Sequence, residues 1–450
     1  MHSEPRREPS STELTGDSAL SETGPTGSAE NPTGDALRAR ADAVEVVRVL
    51  QASGYKALFA GGCVRDELLG LHPKDFDVAT DARPKDIAKL FRSTAHVGAH
   101  FGVVIVRTGP SEGVEVATFR KDGSYSDKRR PDSVEFADDI ADANRRDFTI
   151  NALFLDPLAA EDSPSIHGHV VDHVGGMRDL EDRLIRAVGN PEDRLAEDHL
   201  RALRAVRFAA RFDCKIDPCT AGAITEHAGD LAGVSAERIG QELRRMLSHS
   251  SRVRAVELLA DLDLERAIFS APGSGSLSRL SGLEAGADFP CAMAAWIIDR
   301  QGFAGETRLY RDALCLSNAE HDSIDATIRI ARDLHADWLG RPVAFQKRLA
   351  AKAEFGPALA CVSAVDLSLA GRISARVAEL RASPEGLEPK PLLTGEELIS
   401  MGFRPGPAFK GVLSEVYDAQ LEGRISDLEG AKSAAQKLLG SPEPEGGSGV

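Results

Sequence analysis

The sequence predicts an α/β N-terminal part followed by an all-α remainder. Three observations carry this. Residues 58–80 read as strand, glycine turn, short helix and second strand; two β-like apolar runs follow at 103–106 and 114–119; and from Pro191 onward apolar residues recur mostly at helical spacing. The 450 residues suffice for two to four domains with cores of their own. A net charge of −16 argues against broad non-specific nucleic-acid binding but leaves room for a local basic groove. The six cysteines include no Cys-x-x-Cys pair, which gives neither a zinc site nor a disulfide framework and points to a reducing cytoplasm. No apolar stretch is long enough to span a bilayer and no hydrophobic signal core follows Met1, so no membrane partner is expected.

Residues 1–36 are rich in Ser, Thr, Glu, Gly and Pro and are expected to be disordered. Val44, Val47 and Leu50 then fall at helical spacing, with a stop at Gly54. A strand over 55–60 runs into Gly61-Gly62, where a backbone without Cβ atoms lets phosphate oxygens approach the amides. Arg65, one turn further, adds a charged fork to that phosphate site. Asp75 and Asp77 are placed on one strand, where alternate residues share a face, with Phe76 and Val78 turned into the core. Such an acid pair suits Mg²⁺, which takes one or two carboxylates and leaves its other positions to water and phosphate.

Pro84 reads as the first residue of a helix carrying Ile87, Leu90 and Phe91. The strands 103–106 and 114–119 are joined through Gly109-Pro110. Glu115 is a charge set inside the second of them, either a third acid facing the same metals or an edge residue paired with an arginine. Residues 120–134 are polar and aperiodic, a mobile loop beside the site. Arg145, Arg146 and Asp147 precede an apolar strand at 152–155, and either grip a triphosphate and a ribose or form a surface salt bridge.

Residues 170–189 contain a strand, the Gly175-Gly176 turn and a charged helix. One long helix is expected over 192–212, with Leu195, Leu203, Val206 and Ala210 as its buried stripe. Its other side carries Arg194, Asp198, Arg201, Arg204, Arg207 and Arg211, with Glu197, Asp198 and Arg201 clustered at spacings of three and four. That face is either merely solvated or reads a base. In the second case an arginine donates while an aspartate accepts from an exocyclic amine, which selects cytosine and adenine together. Ser235 caps a further helix to 247 with Arg238 in its first turn, and 256–381 is helical and Ala-rich. Glu320-His321-Asp322 lacks the surrounding His and Asp pattern of a metal phosphohydrolase. A Pro/Glu linker at 383–391 leads to a capping box, Thr394 with Glu397, and to further helices.

Taken together, these motifs resemble the class II tRNA nucleotidyltransferase and bacterial poly(A) polymerase family of polymerase-β-like nucleotidyltransferases, over about 58–247. The matching runs are Gly-Gly-Cys-Val-Arg-Asp, Asp75-Phe76-Asp77, residues 145–152, Glu197-Asp198-His199-Leu200-Arg201 and Val206-Arg207-Phe208-Ala209. The resemblance implies a palm-like head at 37–172, a base-binding neck at 173–250, an RNA-binding body at 251–385 and a tail at 386–440, with 441–450 disordered. It implies two Mg²⁺ on Asp75 and Asp77, with Glu115 as a third catalytic acid. Gly61, Gly62 and Arg65 would hold the triphosphate of CTP or ATP, and Arg146 and Asp147 would meet phosphate and ribose. Asp198 and Arg201, supported by Glu197, would template the base, with Arg204 and Arg207 completing the pocket.

Within the family, residues 97–102 lack the arginines of the poly(A) polymerase element, while Tyr125, Arg129, Arg130 and Pro131 resemble the flexible loop of full CCA-adding enzymes. The expected activity is therefore addition of C, C and A to the tRNA 3′ end at the acceptor stem, with no protein partner expected. Poly(A) synthesis, CC-only or A-only addition, and non-catalytic RNA binding stand as alternatives.

Overall fold

A computed structural model describes residues 34–96, 102–108, 113–123, 133–160, 165–270 and 275–440. The terminal segments expected to be disordered, the Gly109-Pro110 turn, the segment around His100 and the Tyr125–Pro131 stretch fall wholly or largely outside these residues.

Helix α1 (Gly34–Ala52) begins earlier than the expected boundary at 37 and buries Ala43, Val46, Val47 and Leu50. Strand β1 (Ala57–Ala60) follows and is buried along its whole length. It starts two residues later than expected and feeds α2 (Gly62–Leu68) through Gly61. The remaining strands of the head are β2 (Asp77–Thr80), β3 (Thr94–His96), β4 (Val103–Val106) and β5 (Val114–Thr118). After β6 (Arg120–Asp122) and β7 (Val134–Phe136) come β8 (Leu153–Leu155) and β9 (Val170–Asp172). Among the described residues seven strands make one sheet in the order β3-β4-β5-β2-β1-β8-β9.

Alternation along β1 divides the core. Ala57 and Phe59 join α1 on one face, whereas Leu58 and Ala60 join Ala79, Phe119, Ala152 and Phe154 on the other. Helix α3 (Pro84–Leu90) opens on its proline as expected. The polar segment 120–134 is not a loop throughout, because its two ends pair as β6 and β7 in an antiparallel ribbon. Short α4 (Asp139–Asn144) and α5 (Gly176–Glu181) complete the head.

The single long helix expected over 192–212 is two helices, α6 (Pro191–Glu197) and α7 (Leu200–Arg211). Asp198 breaks them apart with extended backbone, φ −157° and ψ 102°, and its carboxylate accepts the Leu200 N–H at 3.1 Å. A short acidic side chain that binds a backbone N–H competes with helix continuation, and helical periodicity carries no trace of this. Helices α8 (Pro218–Glu226), α9 (Ala236–Leu247) and α10 (Arg252–Asp261) follow, and α7, α9 and α10 pack on one another. Ser235 occupies the N-cap position of α9, but its hydroxyl makes no capping bond. Thr394 and Glu397 do form the expected capping box.

Two contacts lock α9 to the helices behind it. Gly240 lies where a Cβ would stand 2.0 Å from the Leu314 carbonyl oxygen. Arg244 forks Glu320 at 2.6 and 2.8 Å, so Glu320 serves an ion pair and the capping box of the helix Asn318–Asp337. Gly240→Ala is expected to destabilise the protein by ~3 kcal/mol or more, read as a lowered chemical-denaturation midpoint. An unchanged midpoint would show that the helices can part without cost.

The Arg244 hydrogen bonds hold the Glu320 carboxyl down to about 2 from 4.5. Because the folded value lies below the unfolded one, the pair stabilises the fold above pH 4.5 and loses that contribution as pH falls toward 2. The pair is partly solvated, so its worth is about 1 kcal/mol. The Tm gap between wild type and Glu320→Gln should therefore narrow from pH 7 to pH 3. A gap independent of pH would refute the linkage.

The last helices form a small separate core around Leu398, Val412, Val416, Ala431 and Ala435. Arg348 ties it to the preceding helices through Asp418 at 2.5 Å.

Candidate active site

A cavity of about 490 Å³ opens between the head sheet and α7. Gly61, Gly62, Arg65, Asp77, Arg146 and Asp147 line it from the head, and Asp198, Arg201, Arg204 and Arg207 line it from the helical side. Asp75, Glu115 and Glu197 do not line it, though all three stand beside residues that do.

Asp77 is the first residue of β2, whereas Asp75 lies just before the strand rather than on it. Alternation still holds across 75–78: both aspartates are exposed, and Phe76 and Val78 are buried. Strand β5 runs parallel to β2 with Glu115 in register with Asp77. Side chains at paired positions project from the same face, so Glu115 flanks Asp77 opposite α1. Confinement within the cleft pushes the Asp77 carboxyl up to about 6, Glu115 and Asp75 push it the same way, and Arg146 opposes them. The residue retains solvent access, so burial alone is an incomplete cause. The upward direction also follows from like charges crowded on one face.

Such crowding fits a divalent cation. Arg146, the cation that acts on Asp77, is itself bound to Asp142 at 2.9 Å. Among the described residues no three His, Cys, Asp or Glu side chains are placed to hold a metal ion by themselves.

Gly61 has φ 76°, and a Cβ on it would meet the Arg146 Nη1 at 2.7 Å. The glycine thus permits the left-handed turn and the close approach of an arginine to it. Arg65 is nearly buried: it donates to Asp66 and Asn151 and its guanidinium lies 4.5 Å from the Phe212 ring centroid and 5.1 Å from that of Phe208. Much of its capacity is therefore spent on holding α2 against α7, a role that the motif alone does not reveal.

Asp147 is more fully engaged. One of its oxygens accepts the Phe148 N–H and the Asn151 amide, and the other accepts both arms of Arg204 at 2.8 and 2.6 Å. Burial alone would raise this carboxyl, but Arg204 and Asn151 outweigh it and hold it down to about 2. A carboxylate has about four acceptor sites, so a ribose hydroxyl would have to displace one of these partners. In this arrangement Asp147 clamps Arg204 to the head.

Arg201 donates from Nη1 to the Arg194 carbonyl at 2.7 Å and to Glu197 at 2.5 Å, the expected i,i+4 pair. Asp198 does not pair with Arg201. The fork of Arg238 from α9 takes it, Nη1 to Oδ1 at 3.1 Å and Nη2 to Oδ2 at 2.7 Å. With Leu200 N–H also on Oδ1, one acceptor position remains, on Oδ2. Four residues on, Glu242 holds Arg207 at 2.6 Å. Sequence spacing does not single out Arg238 and Glu242: they stand four apart on α9 like any helical pair, and only the tertiary contacts to Asp198 and Arg207 show what they grip.

Residues 57–186 match the family model described as "Poly A polymerase head domain", and residues 213–273 match "Probable RNA and SrmB- binding site of polymerase A". A CCA-adding enzyme of Levilactobacillus brevis is 33% identical over 396 residues, spanning 87% of this chain and 96% of that protein. The chain belongs to the CCA-adding enzyme family. A second member, from Lactobacillus johnsonii, is 32% identical over 402 residues, covering 86% of this chain and 95% of its own length. The crystal structure of the Bacillus stearothermophilus CCA-adding enzyme in complex with CTP superposes with a TM-score of 0.72 at 27% identity, covering 89% of this chain and 97% of that one. The α/β head and helical remainder are thus the architecture of a CCA-adding enzyme. Among the described residues no helix is long and apolar enough to cross a membrane.

Proposed function

We infer that this chain is a nucleotidyltransferase that adds C, C and A to tRNA 3′ ends from CTP and ATP, releasing pyrophosphate, and that it works in the cytoplasm with Mg²⁺. The observation that carries the reading is one cavity with Asp77, flanked by Glu115 in register, on one wall and both Asp198 and Arg201 on the other.

The pair reads the base by its remaining capacity. Asp198 keeps one acceptor position, while Arg201 keeps donors on Nε and Nη2 after its Nη1 is used. An acceptor beside a donor matches the exocyclic amine and ring nitrogen of cytosine or adenine. Uracil and guanine would set a carbonyl against the carboxylate, at the cost of an unmade hydrogen bond. Arg204, clamped by Asp147, and Arg207, clamped by Glu242, supply fixed positive charge to the same pocket. The Gly61 turn, and Arg146 with the donors left over from Asp142 and the Asn151 carbonyl, would meet the triphosphate next to Asp77. Asp75 and Asp77 would hold the Mg²⁺ ions, with Glu115 beside them, and the metal would withdraw charge from the attacking 3′-hydroxyl and the departing pyrophosphate. We assign residues 37–172, 173–250, 251–385 and 386–440 to head, neck, body and tail; the separate core around Leu398 supports the last of these.

The test is incubation with tRNA lacking its 3′ end, CTP, ATP and Mg²⁺, with products resolved by length. Extension by three nucleotides supports the reading. Long A tails without use of CTP would assign poly(A) synthesis instead, and tRNA binding without incorporation would remove catalysis altogether.

A further inference from the structure

A second cavity, of about 320 Å³, lies behind α7 and shares Arg207 and Arg211 with the cavity already described. Its other walls are Arg245, Met246, His249 and Ala255, contributed by α9, the turn after it and α10. Charge on this second cavity is lopsided. Glu242 is buried and already bound by Arg207 at 2.6 Å and Arg245 at 3.0 Å. Among the described residues the acid nearest Arg211 in an ion pair is Asp66, at 4.0 Å.

His249 adds a directed donor. Its Nδ1 faces both the Ser251 hydroxyl at 2.8 Å and the Ser251 backbone N–H at 3.2 Å; the N–H can only donate, so in the neutral ring Nδ1 accepts and Nε2 carries the proton. Burial and the neighbouring Arg211 and Arg252 lower the His249 pKa, which favours this neutral form. Met246, Ala210 and Ala255 are buried and give the cavity an apolar floor. Cationic forks, one neutral N–H donor and an apolar floor suit a phosphodiester with its attached nucleoside.

We propose that this second cavity is the subsite for the nucleotide of the acceptor strand that precedes the growing 3′ end, with Arg211, Arg245 and His249 on its phosphate. This rests on the reading that the chain extends an RNA terminus. Continuity through Arg207 and Arg211 is what would lead a strand from this cleft toward the acids at Asp77.

The experiment measures initial rates of CMP incorporation for wild type, Arg245→Ala and His249→Ala, varying tRNA at saturating CTP and then CTP at saturating tRNA. Arg245 is largely exposed, so its removal spares the core, and thermal melts check that both variants fold. The expected result is a rise of about tenfold in KM for tRNA in each variant, with KM for CTP unchanged. The Arg245→Ala slope of log(kcat/KM) for tRNA against log salt should also flatten by about 0.7. An unchanged KM for tRNA in both folded variants overturns the subsite, as does a matching rise in KM for CTP, which would place the incoming nucleotide or pyrophosphate there. Absence of incorporation by wild type would instead overturn the underlying reading, so the two failures are distinguishable.

Discussion

Asp77→Ala is expected to lower CMP incorporation into tRNA by at least about a thousandfold, equivalent to ~4 kcal/mol of transition-state stabilisation. Asp77 is the acid of the cluster that lines the cavity, and Glu115 and Asp75 already crowd its charge. Removing it relieves that repulsion, so the folded protein should be no less stable than wild type. This combination separates a catalytic acid from a structural one. Single-turnover rates with saturating tRNA and CTP, together with a denaturation curve, make the measurement. Near-normal incorporation would show that metal and phosphate are handled elsewhere. Glu115, in register but outside the cavity lining, should give a smaller loss on substitution by Gln.

Asp198→Ala should erase base choice rather than turnover. The carboxylate offers the acceptor position facing the cavity, and its other positions are bound by Arg238 and the Leu200 N–H. A site that hydrogen-bonds its ligand discriminates strongly because the wrong ligand leaves a polar group unmade. The ratio of kcat/KM for CTP over UTP should therefore fall by about a hundredfold or more. Arg238→Ala should move the same ratio in the same direction, because the carboxylate loses its fork and with it a fixed orientation. A CTP/UTP ratio unchanged in Asp198→Ala would mean that side chains at this break do not read the base.

Most of the residues that line or flank the cavity were legible in the sequence. Asp77, Glu115, the Gly61 turn and the arginines 201, 204 and 207 are set by strand alternation and helical spacing, which are local and leave periodic traces. Asp198 binds Arg238 instead of clustering with Arg201, and Asp147 binds Arg204, for one shared reason: a charged side chain takes whichever opposite charge the packing brings near. Arg238 is 40 residues from Asp198, and Arg204 is 57 from Asp147. Periodicity within one helix could not anticipate either contact, nor the break that Asp198 makes between α6 and α7.

The sequence by itself determined the strand–turn–helix order at Gly61, the alternation of Asp75 and Asp77 with Phe76 and Val78, and the arginine face, because each follows from short-range sterics and the burial of apolar residues. Only the tertiary structure decided which of those charges remain available. Arg65 is largely spent on Asp66 and Asn151, Asp147 on Arg204, and Asp198 on Arg238, since a buried charge must be matched by a nearby partner and the fold alone chooses that partner.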